Sequence, residues 1–257
     1  MSQSNGRRVA VITGVSRRIG IGAAVARRFT GAGVDVFLHH WEPHDAEQPW
    51  GADRGGAQSI VDELVATGVR VEQLAADFAE PSAPATVIDA AVAAFGHIDI
   101  LVANHARSGI QTLEALTADE VDLTYAVNTR ATLLLVKEFA RQHDDERPGR
   151  VIMMTSGQHR GPMPAELPYI ASKGALHQLT LSLAHHLAPR NITVNTVDPG
   201  ATDTGYADEE TTRAVIEHAP MGRWGHPDDA AKLISWLTGP DAGWVTGQVI
   251  VSNGGGW

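Results

Sequence analysis

Tyr169 and Lys173 stand four positions apart, a spacing that places a phenol and an ammonium on one face of a helix. Pro168 suits the first turn of that helix, because its missing N–H would have had no partner within the helix. A free tyrosine has a pKa of about 10, and a neighbouring positive charge stabilises its phenolate. The pair therefore predicts proton transfer by Tyr169, assisted by Lys173.

A glycine-rich turn near the N-terminus supplies the second signal. The apolar run 9–12 leads directly into residues 13–20, TGVSRRIG. Gly14 allows a tight turn after a strand, and Gly20 allows the following helix to pack closely on the sheet. Backbone N–H groups at the start of that helix can then bind a pyrophosphate. Each motif is weak alone, but the turn followed by the Tyr169 pair predicts a nicotinamide-dependent oxidoreductase.

Along the chain, short β-branched runs alternate with longer helical patterns. The predicted strands lie at 9–13, 34–39, 69–75, 98–103, 150–155, 191–197 and 248–252. The predicted helices lie at 18–31, 56–67, 82–95, 117–142, 168–188 and 227–238. This alternation predicts an α/β fold with a single doubly wound parallel sheet, Rossmann-like, with helices on both faces, in one domain over residues 1–257. The cofactor would cross the carboxyl ends of the strands, and residues 41–56, rich in Pro and Gly, would form a long loop after the second strand.

Composition narrows the classes of function. The 257 residues are 43% hydrophobic and 19% charged, as in ordinary soluble globular proteins. The net charge of −10 argues against nucleic acid as a partner, and no apolar run is long enough for a membrane span. The chain has no cysteine and its adjacent histidines lack metal-ligand spacing, so no disulfide and no metal site are predicted. The N-terminal residues show no signal-peptide pattern, and a cytoplasmic location is expected.

These motifs give the chain a resemblance to the short-chain dehydrogenase/reductase (SDR) family over nearly its whole length. Further matching positions are Asp77, residues 103–106 in the place of the family's Asn-Asn-Ala-Gly, Asn128, residues 199–204 and a glycine-rich C-terminal end. The chain departs from the family's pattern at Arg18, His105, Ala106 and Asn253. The 3-oxoacyl-ACP reductases are the nearest broad resemblance, although no clear basic patch is present for an acidic carrier protein.

The resemblance implies a catalytic set of Asn128, Ser156, Tyr169 and Lys173. Tyr169 would be the general acid or base, Ser156 would hydrogen-bond the substrate's carbonyl oxygen, and Asn128 would hold a water beside Lys173. The residues predicted to bind the cofactor are Gly14, Ser16, Arg17, Arg18, Ile19, Gly20, His40, Trp41, Asp77, Phe78, Asn104, Tyr169, Lys173, Pro199, Gly200, Thr202 and Thr204. The residues predicted to contact substrate are Ser156, Gln158, Met163 and Tyr169. They suit a small-molecule carbonyl substrate, a moderately apolar ketone or aldehyde with one polar group.

The charge near the adenosine ribose decides between NADP and NAD. An NAD site usually offers a carboxylate at the end of the second strand, but here that strand ends in Phe-Leu-His-His-Trp. Arg17 matches the arginine that NADP-preferring relatives place against the 2′-phosphate, which favours NADPH. Glu42 and Asp45 follow closely and could instead build an acidic ribose site for NAD, and Arg17 could be a solvated turn charge.

Two classes of function remain open, of which an NADPH-dependent carbonyl reductase is favoured. The alternative is a catalytically silent dinucleotide-sensing or scaffold protein, which would not need Tyr169. A homo-oligomer, most simply a homotetramer, is expected because the helices at 117–142 and 168–188 carry apolar sets wider than one stripe of about 100°. SDR relatives pair these same helices. Trp257 could dock into a neighbouring subunit or fray in solvent.

Overall fold

The computed structural model describes residues 6–256, so the prediction for Trp257 lies outside the described part. Within that part, seven parallel strands form one sheet in the order β3-β2-β1-β4-β5-β6-β7. They are β1 (Val9–Thr13), β2 (Asp35–His40), β3 (Val71–Ala75), β4 (Ile100–Ala103), β5 (Gly149–Met154), β6 (Ile192–Asp198) and β7 (Val249–Val251). β1, β4 and β5 are buried along their whole length, because helices cover both faces of the sheet.

The helices form two layers. They are α1 (Ile21–Gly31), α2 (Glu42–Ala46), α3 (Gly56–Val65), α4 (Ala83–Phe95), α5 (Ala118–Tyr125), α6 (Ala131–Gln142), α7 (Leu167–Leu187), α8 (Glu209–His218) and α9 (Pro227–Leu237). Apolar side chains of α1, α3 and α9 fill one core and those of α4, α6 and α7 fill the other. The predicted doubly wound parallel sheet is confirmed. None of the helices within residues 6–256 has the length and apolar character needed to cross a membrane.

The strand order reverses beside β1, and this reversal positions the site. β1 pairs with β2 on one side and with β4 on the other, so that Val11 lies opposite Phe37 and Leu101. Because all three strands are parallel, the chain leaves each of them at the same edge of the sheet. The glycine-rich turn, residues 41–56 and the segment after β4 therefore meet at the carboxyl ends of the strands, where doubly wound sheets bind nucleotides.

Three local predictions from the sequence were wrong. The helix predicted over 117–142 is interrupted by a π-helical turn at Ala126–Arg130, whose wider backbone carries Asn128 into the interior. Residues 41–56 are not loop throughout, because Pro43 fits the first turn of the short helix α2. α8 was not predicted, since none of its residues is buried and no apolar stripe marks it.

Candidate functional site

A cavity of about 430 Å³ opens at the carboxyl ends of β1, β2 and β4. Of the residues predicted to bind a cofactor, those that line it are Gly14, Ser16, Arg17, Gly20, Trp41, Asp77, Phe78, Asn104 and Thr204. Asp45, which the sequence left open as a ribose ligand, also lines it, and the other lining residues include His39, His44, Glu47, His105 and Arg107. The glycine-rich turn and the segments after three strands thus form one continuous wall.

The glycine-rich turn needs its glycines for close backbone approach. Gly14 has a φ of +72°, and a Cβ there would meet the Cα of His105 at 2.7 Å. Asn104 Nδ2 donates to the Gly14 carbonyl oxygen at 3.1 Å and ties the end of β4 to the turn. A Cβ on Gly22 would lie 2.7 Å from that same carbonyl oxygen. The close packing of the helix, predicted for Gly20, therefore depends on Gly22, which the motif does not include.

Two buried histidines form an uncharged wall of the cavity. His39 stacks on Phe78 with ring centroids 3.9 Å apart, and burial lowers the pKa of His39 to about 4. His105 Nδ1 lies 2.7 Å from Thr13 Oγ1, its Nε2 lies 2.9 Å from the Val127 carbonyl oxygen, and burial lowers its pKa. Both rings are therefore neutral near pH 7. In the sequence, this histidine wall was indicated only by His105, which stands where the family has alanine.

The charged residues of the cavity bear directly on the choice of dinucleotide. The Asp45 carboxylate is buried and accepts a hydrogen bond from Ser16 Oγ at 2.5 Å. Glu42 is engaged elsewhere, because its Oε1 accepts from the backbone N–H of Ala57 at 2.8 Å. Of the two acids left open by the sequence, only Asp45 reaches the cavity, and Arg17 lines the same space. The Asp45 carboxylate and the Arg17 guanidinium thus both face the cavity, which Glu47, Asp77 and Arg107 line as well.

Some predicted cofactor residues lie outside this lining, namely Arg18, Ile19, His40, Tyr169, Lys173, Pro199, Gly200 and Thr202. The Arg18 side chain is paired outside the cavity, and its contact with a cofactor stays a prediction. Its guanidinium donates to Glu63 Oε2 at 2.8 Å and to the Ser59 carbonyl oxygen at 3.1 Å, because α3 passes beside the turn. Thr202 donates to the Pro199 carbonyl oxygen at 3.1 Å, which closes a turn after β6.

Tyr169 and Lys173 lie on α7, and Ser156 follows β5. Lys173 Nζ donates to the Met154 carbonyl oxygen at 2.9 Å and lies 5.7 Å from the centroid of the Tyr169 ring. Burial lowers the pKa of Lys173 to about 8. The structure therefore brings the ammonium, the phenol and the carboxyl end of β5 together, as the spacing in the sequence requires.

The Tyr169 phenol is protonated in the free protein. Burial raises the pKa of Tyr169 to about 12, a hydrogen bond with Ser156 opposes that rise, and the Glu166 carboxylate adds to it. The Ser156 hydroxyl is close enough to the phenol to lower that pKa. A protonated phenol next to a hydroxyl can donate to a carbonyl oxygen and stabilise the charge that develops on it.

Asn128 is fully buried, and its amide is occupied by protein atoms. Its Nδ2 donates to the Arg107 carbonyl oxygen and to Ser172 Oγ, each at 2.9 Å, and its Oδ1 accepts from the Arg107 N–H at 2.7 Å. The side chain therefore ties the segment after β4 to α7, one residue before Lys173. The water contact that the family resemblance implies for Asn128 stays a prediction.

The residues predicted to contact substrate have different positions. Gln158 turns back toward the strand end, where its Oε1 accepts from the Ser156 N–H at 3.2 Å and its Nε2 donates to Thr155 Oγ1 at 3.0 Å. It thus supports the Ser156 turn, and its contact with a substrate stays a prediction. Met163 is half-buried in the segment before α7. Glu166, which lies in the segment expected to contact substrate, is a half-buried carboxylate close enough to Tyr169 to raise its pKa.

Comparison with known proteins agrees with this geometry. Residues 14–256 match the family model described as enoyl-(acyl carrier protein) reductase. An uncharacterized oxidoreductase of Bacillus subtilis (strain 168) is 39% identical over 257 residues, covering 99% of this chain and 98% of its own. A probable tetrahydroxynaphthalene reductase of Zymoseptoria tritici is 33% identical, covering 96% and 93%.

Solved structures agree as well. A short-chain dehydrogenase of Burkholderia cenocepacia J2315 in complex with NADP superposes with a TM-score of 0.85, 34% identity and 99% coverage of both chains. A dehydrogenase/reductase of Sinorhizobium meliloti 1021 gives a TM-score of 0.85 and 36% identity, covering 98% of this chain and 96% of its own. The chain therefore belongs to the short-chain dehydrogenase/reductase family and is an NAD(P)-dependent oxidoreductase that acts on CH–OH or C=O groups.

Proposed function

We propose that the protein is an NADPH-dependent carbonyl reductase acting on small, uncharged ketones or aldehydes. The observation that carries the proposal is the protonated phenol of Tyr169, held beside Ser156 and Lys173 at the strand edge that also bounds the cavity. The cavity suits a dinucleotide, because the glycine-rich turn lines it and the Arg17 Nε has no hydrogen-bond partner among residues 6–256. When bound, the dinucleotide supplies a hydride to the carbonyl carbon.

In this mechanism the chain's own residues hold the carbonyl group and move the proton. Ser156 donates to the carbonyl oxygen and orients it toward Tyr169. As negative charge develops on that oxygen, Tyr169 transfers its proton to it. The Lys173 ammonium stabilises the phenolate that remains. Mixing the protein with NADPH and a panel of ketones, diketones and β-ketoesters, while nicotinamide absorbance is followed, tests the reaction directly; no turnover of any of them would contradict it.

Glu166 supports an uncharged substrate. It stands at the amino end of α7, three positions before Tyr169, and its carboxylate raises the pKa of Tyr169 and of Tyr206. A half-buried negative charge near both phenols repels a carboxylate, a phosphate or an acidic carrier protein. The net charge of −10 acts in the same direction at longer range. These charges favour a small neutral carbonyl compound over an acyl carrier thioester.

Glu166→Gln should therefore improve the reduction of anionic substrates. At neutral pH we expect kcat/KM for 3-oxobutanoate to rise about tenfold, because a unit charge near the carbonyl site is removed, while its ethyl ester changes little. Burial raises the pKa of Glu166, so lowering the pH through that pKa should neutralise the wild-type carboxylate and produce the same gain. Glu72→Gln, an exposed acid on β3, is the matched control. An unchanged preference between acid and ester in Glu166→Gln would contradict this role.

We also propose that the protein assembles as a homotetramer. Large apolar side chains remain exposed on the β7 side of the sheet, with Leu181 68% exposed on α7 and Trp244 98% exposed before β7. These two side chains belong to one region, because Gly247, three positions after Trp244, packs against Leu181. A Cβ on Gly247 would lie 3.1 Å from Leu181 Cδ1. Exposed apolar patches of this kind favour closed association between copies.

Light scattering coupled to size-exclusion chromatography should give a mass about four times 27.3 kDa. Leu181→Glu should reduce that mass to about half, since it places a charge in one of the two interfaces of a tetramer. Val65→Glu, at an exposed position at the end of α3, should leave the mass unchanged. A mass near that of one chain at micromolar concentration would exclude the oligomer.

A further inference from the structure

Residues 41–56 pack against the glycine-rich turn. The Asp45 carboxylate accepts from Ser16 Oγ at 2.5 Å, and the Asp53 carboxylate accepts from the backbone N–H of Arg18 at 2.5 Å. Both contacts join this segment to the loop that begins at Gly14. The segment therefore lies at the edge of the cavity, although no motif marks Trp50 as functional.

Trp50, near the end of this segment, contacts side chains from two other segments, Arg17 and Tyr206. The Arg17 Cζ lies 5.4 Å from the centroid of the Trp50 ring, which is a cation–π distance. The Trp50 ring also meets Tyr206 edge-on, with centroids 6.4 Å apart and planes inclined at 71°. Tyr206 in turn packs edge-on against Trp224 at 5.8 Å. Trp50 thus joins the cofactor turn to the segment after β6, which bounds the catalytic site.

Two donors at this contact are unused. The Arg17 Nε and the Trp50 Nε1 are both buried, and neither has a hydrogen-bond partner among residues 6–256. Buried N–H groups are rarely left unpaired, because each loses its hydrogen bonds to water without replacement. These two side chains are in contact, and one of them lines the cavity. Their N–H groups can both donate to an anionic oxygen, which would accept the two hydrogen bonds.

We propose that Trp50 is a cofactor-binding residue. Its ring holds the Arg17 guanidinium against the cavity, and its indole N–H donates together with the Arg17 Nε to oxygens of a phosphate group of the dinucleotide. The inference rests on the proposed use of a nicotinamide dinucleotide at this site. The 2′-phosphate and the pyrophosphate present the same chemistry to these donors, and the two dinucleotides NADPH and NADH distinguish them.

Titration calorimetry on the full-length protein tests the proposal without any turnover. Trp50→Leu removes both the ring and the donor, and we expect it to weaken NADPH binding about tenfold. Trp50→Phe keeps a ring face over Arg17 but removes the N–H, and we expect an intermediate loss of about threefold. Trp236→Leu is the matched control, because that indole is half-exposed on α9 and does not line the cavity. Circular dichroism of each free variant shows that the fold is retained.

The ligands separate the possible outcomes. A loss confined to NADPH supports contact with the 2′-phosphate, and an equal loss for NADPH and NADH supports contact with the pyrophosphate. Affinities in both Trp50 variants that match those of Trp236→Leu would overturn the proposal. If wild type binds NADPH and reduces ketones in that case, only the role of Trp50 fails. If wild type binds neither dinucleotide, the proposed function fails with it.

Discussion

Tyr169→Phe should lose nearly all ketone reduction while the protein still folds and still binds dinucleotide. The substitution removes only the phenol oxygen, so the ring keeps its packing on α7. That oxygen carries the proton for the carbonyl group, and its raised pKa of about 12 in the free protein means that the proton is present at every physiological pH. General acid catalysis is typically worth about 10²–10⁴-fold, and we expect a loss in kcat of that size.

The measurement is steady-state reduction of the best substrate, together with calorimetric binding of NADPH to the variant. Tyr125→Phe is the matched control, since that phenol is exposed on α5 and should not affect the rate. Residual activity above about a tenth of the wild-type rate would mean that another group donates the proton. If the variant no longer binds NADPH, the main role of Tyr169 is to hold the cofactor and not to donate the proton.

Arg17→Ala should weaken NADPH binding far more than NADH binding. A charge-assisted hydrogen bond to a phosphate contributes about 1.5–3 kcal/mol, which corresponds to roughly a ten- to hundredfold loss of affinity. NADH lacks the 2′-phosphate and should lose little. The expectation follows from the position of Arg17 on the cavity and from its unpaired Nε.

Two further variants make this measurement specific. Arg18→Ala removes the neighbouring guanidinium, but that group is bound to Glu63 and should leave the ratio of the two affinities unchanged. Asp45→Asn removes the carboxylate at the cavity, and we expect it to favour NADPH further, because a 2′-phosphate is repelled by a negative charge. If Arg17→Ala loses affinity for NADPH and NADH equally, Arg17 does not bind the 2′-phosphate. If the wild-type protein prefers NADH, Asp45 is the carboxylate that binds the adenosine ribose.

The sequence by itself determined the fold class and the family, and it predicted the catalytic set. Strand and helix patterns that alternate along the chain predict a doubly wound sheet, because successive parallel strands must be joined by a crossover helix that covers one face of the sheet. The spacing of Tyr169 and Lys173 decides their shared helix face, because the helical repeat is fixed by backbone geometry. The glycine-rich turn is equally local, since Gly14 adopts a positive φ within a few residues of its strand. Each of these features depends on neighbours in the chain.

Only the tertiary structure decided which charges and rings meet at the site. Arg17 and Arg18 are adjacent in sequence, yet α3 binds Arg18 through Glu63 and leaves Arg17 on the cavity. Glu42 and Asp45 are both acids that closely follow the second strand, but only Asp45 contacts Ser16. The contact between Trp50 and Tyr206 joins segments that are remote along the chain. Such contacts depend on how loops from different strands pack at one sheet edge, and no local periodicity encodes that packing.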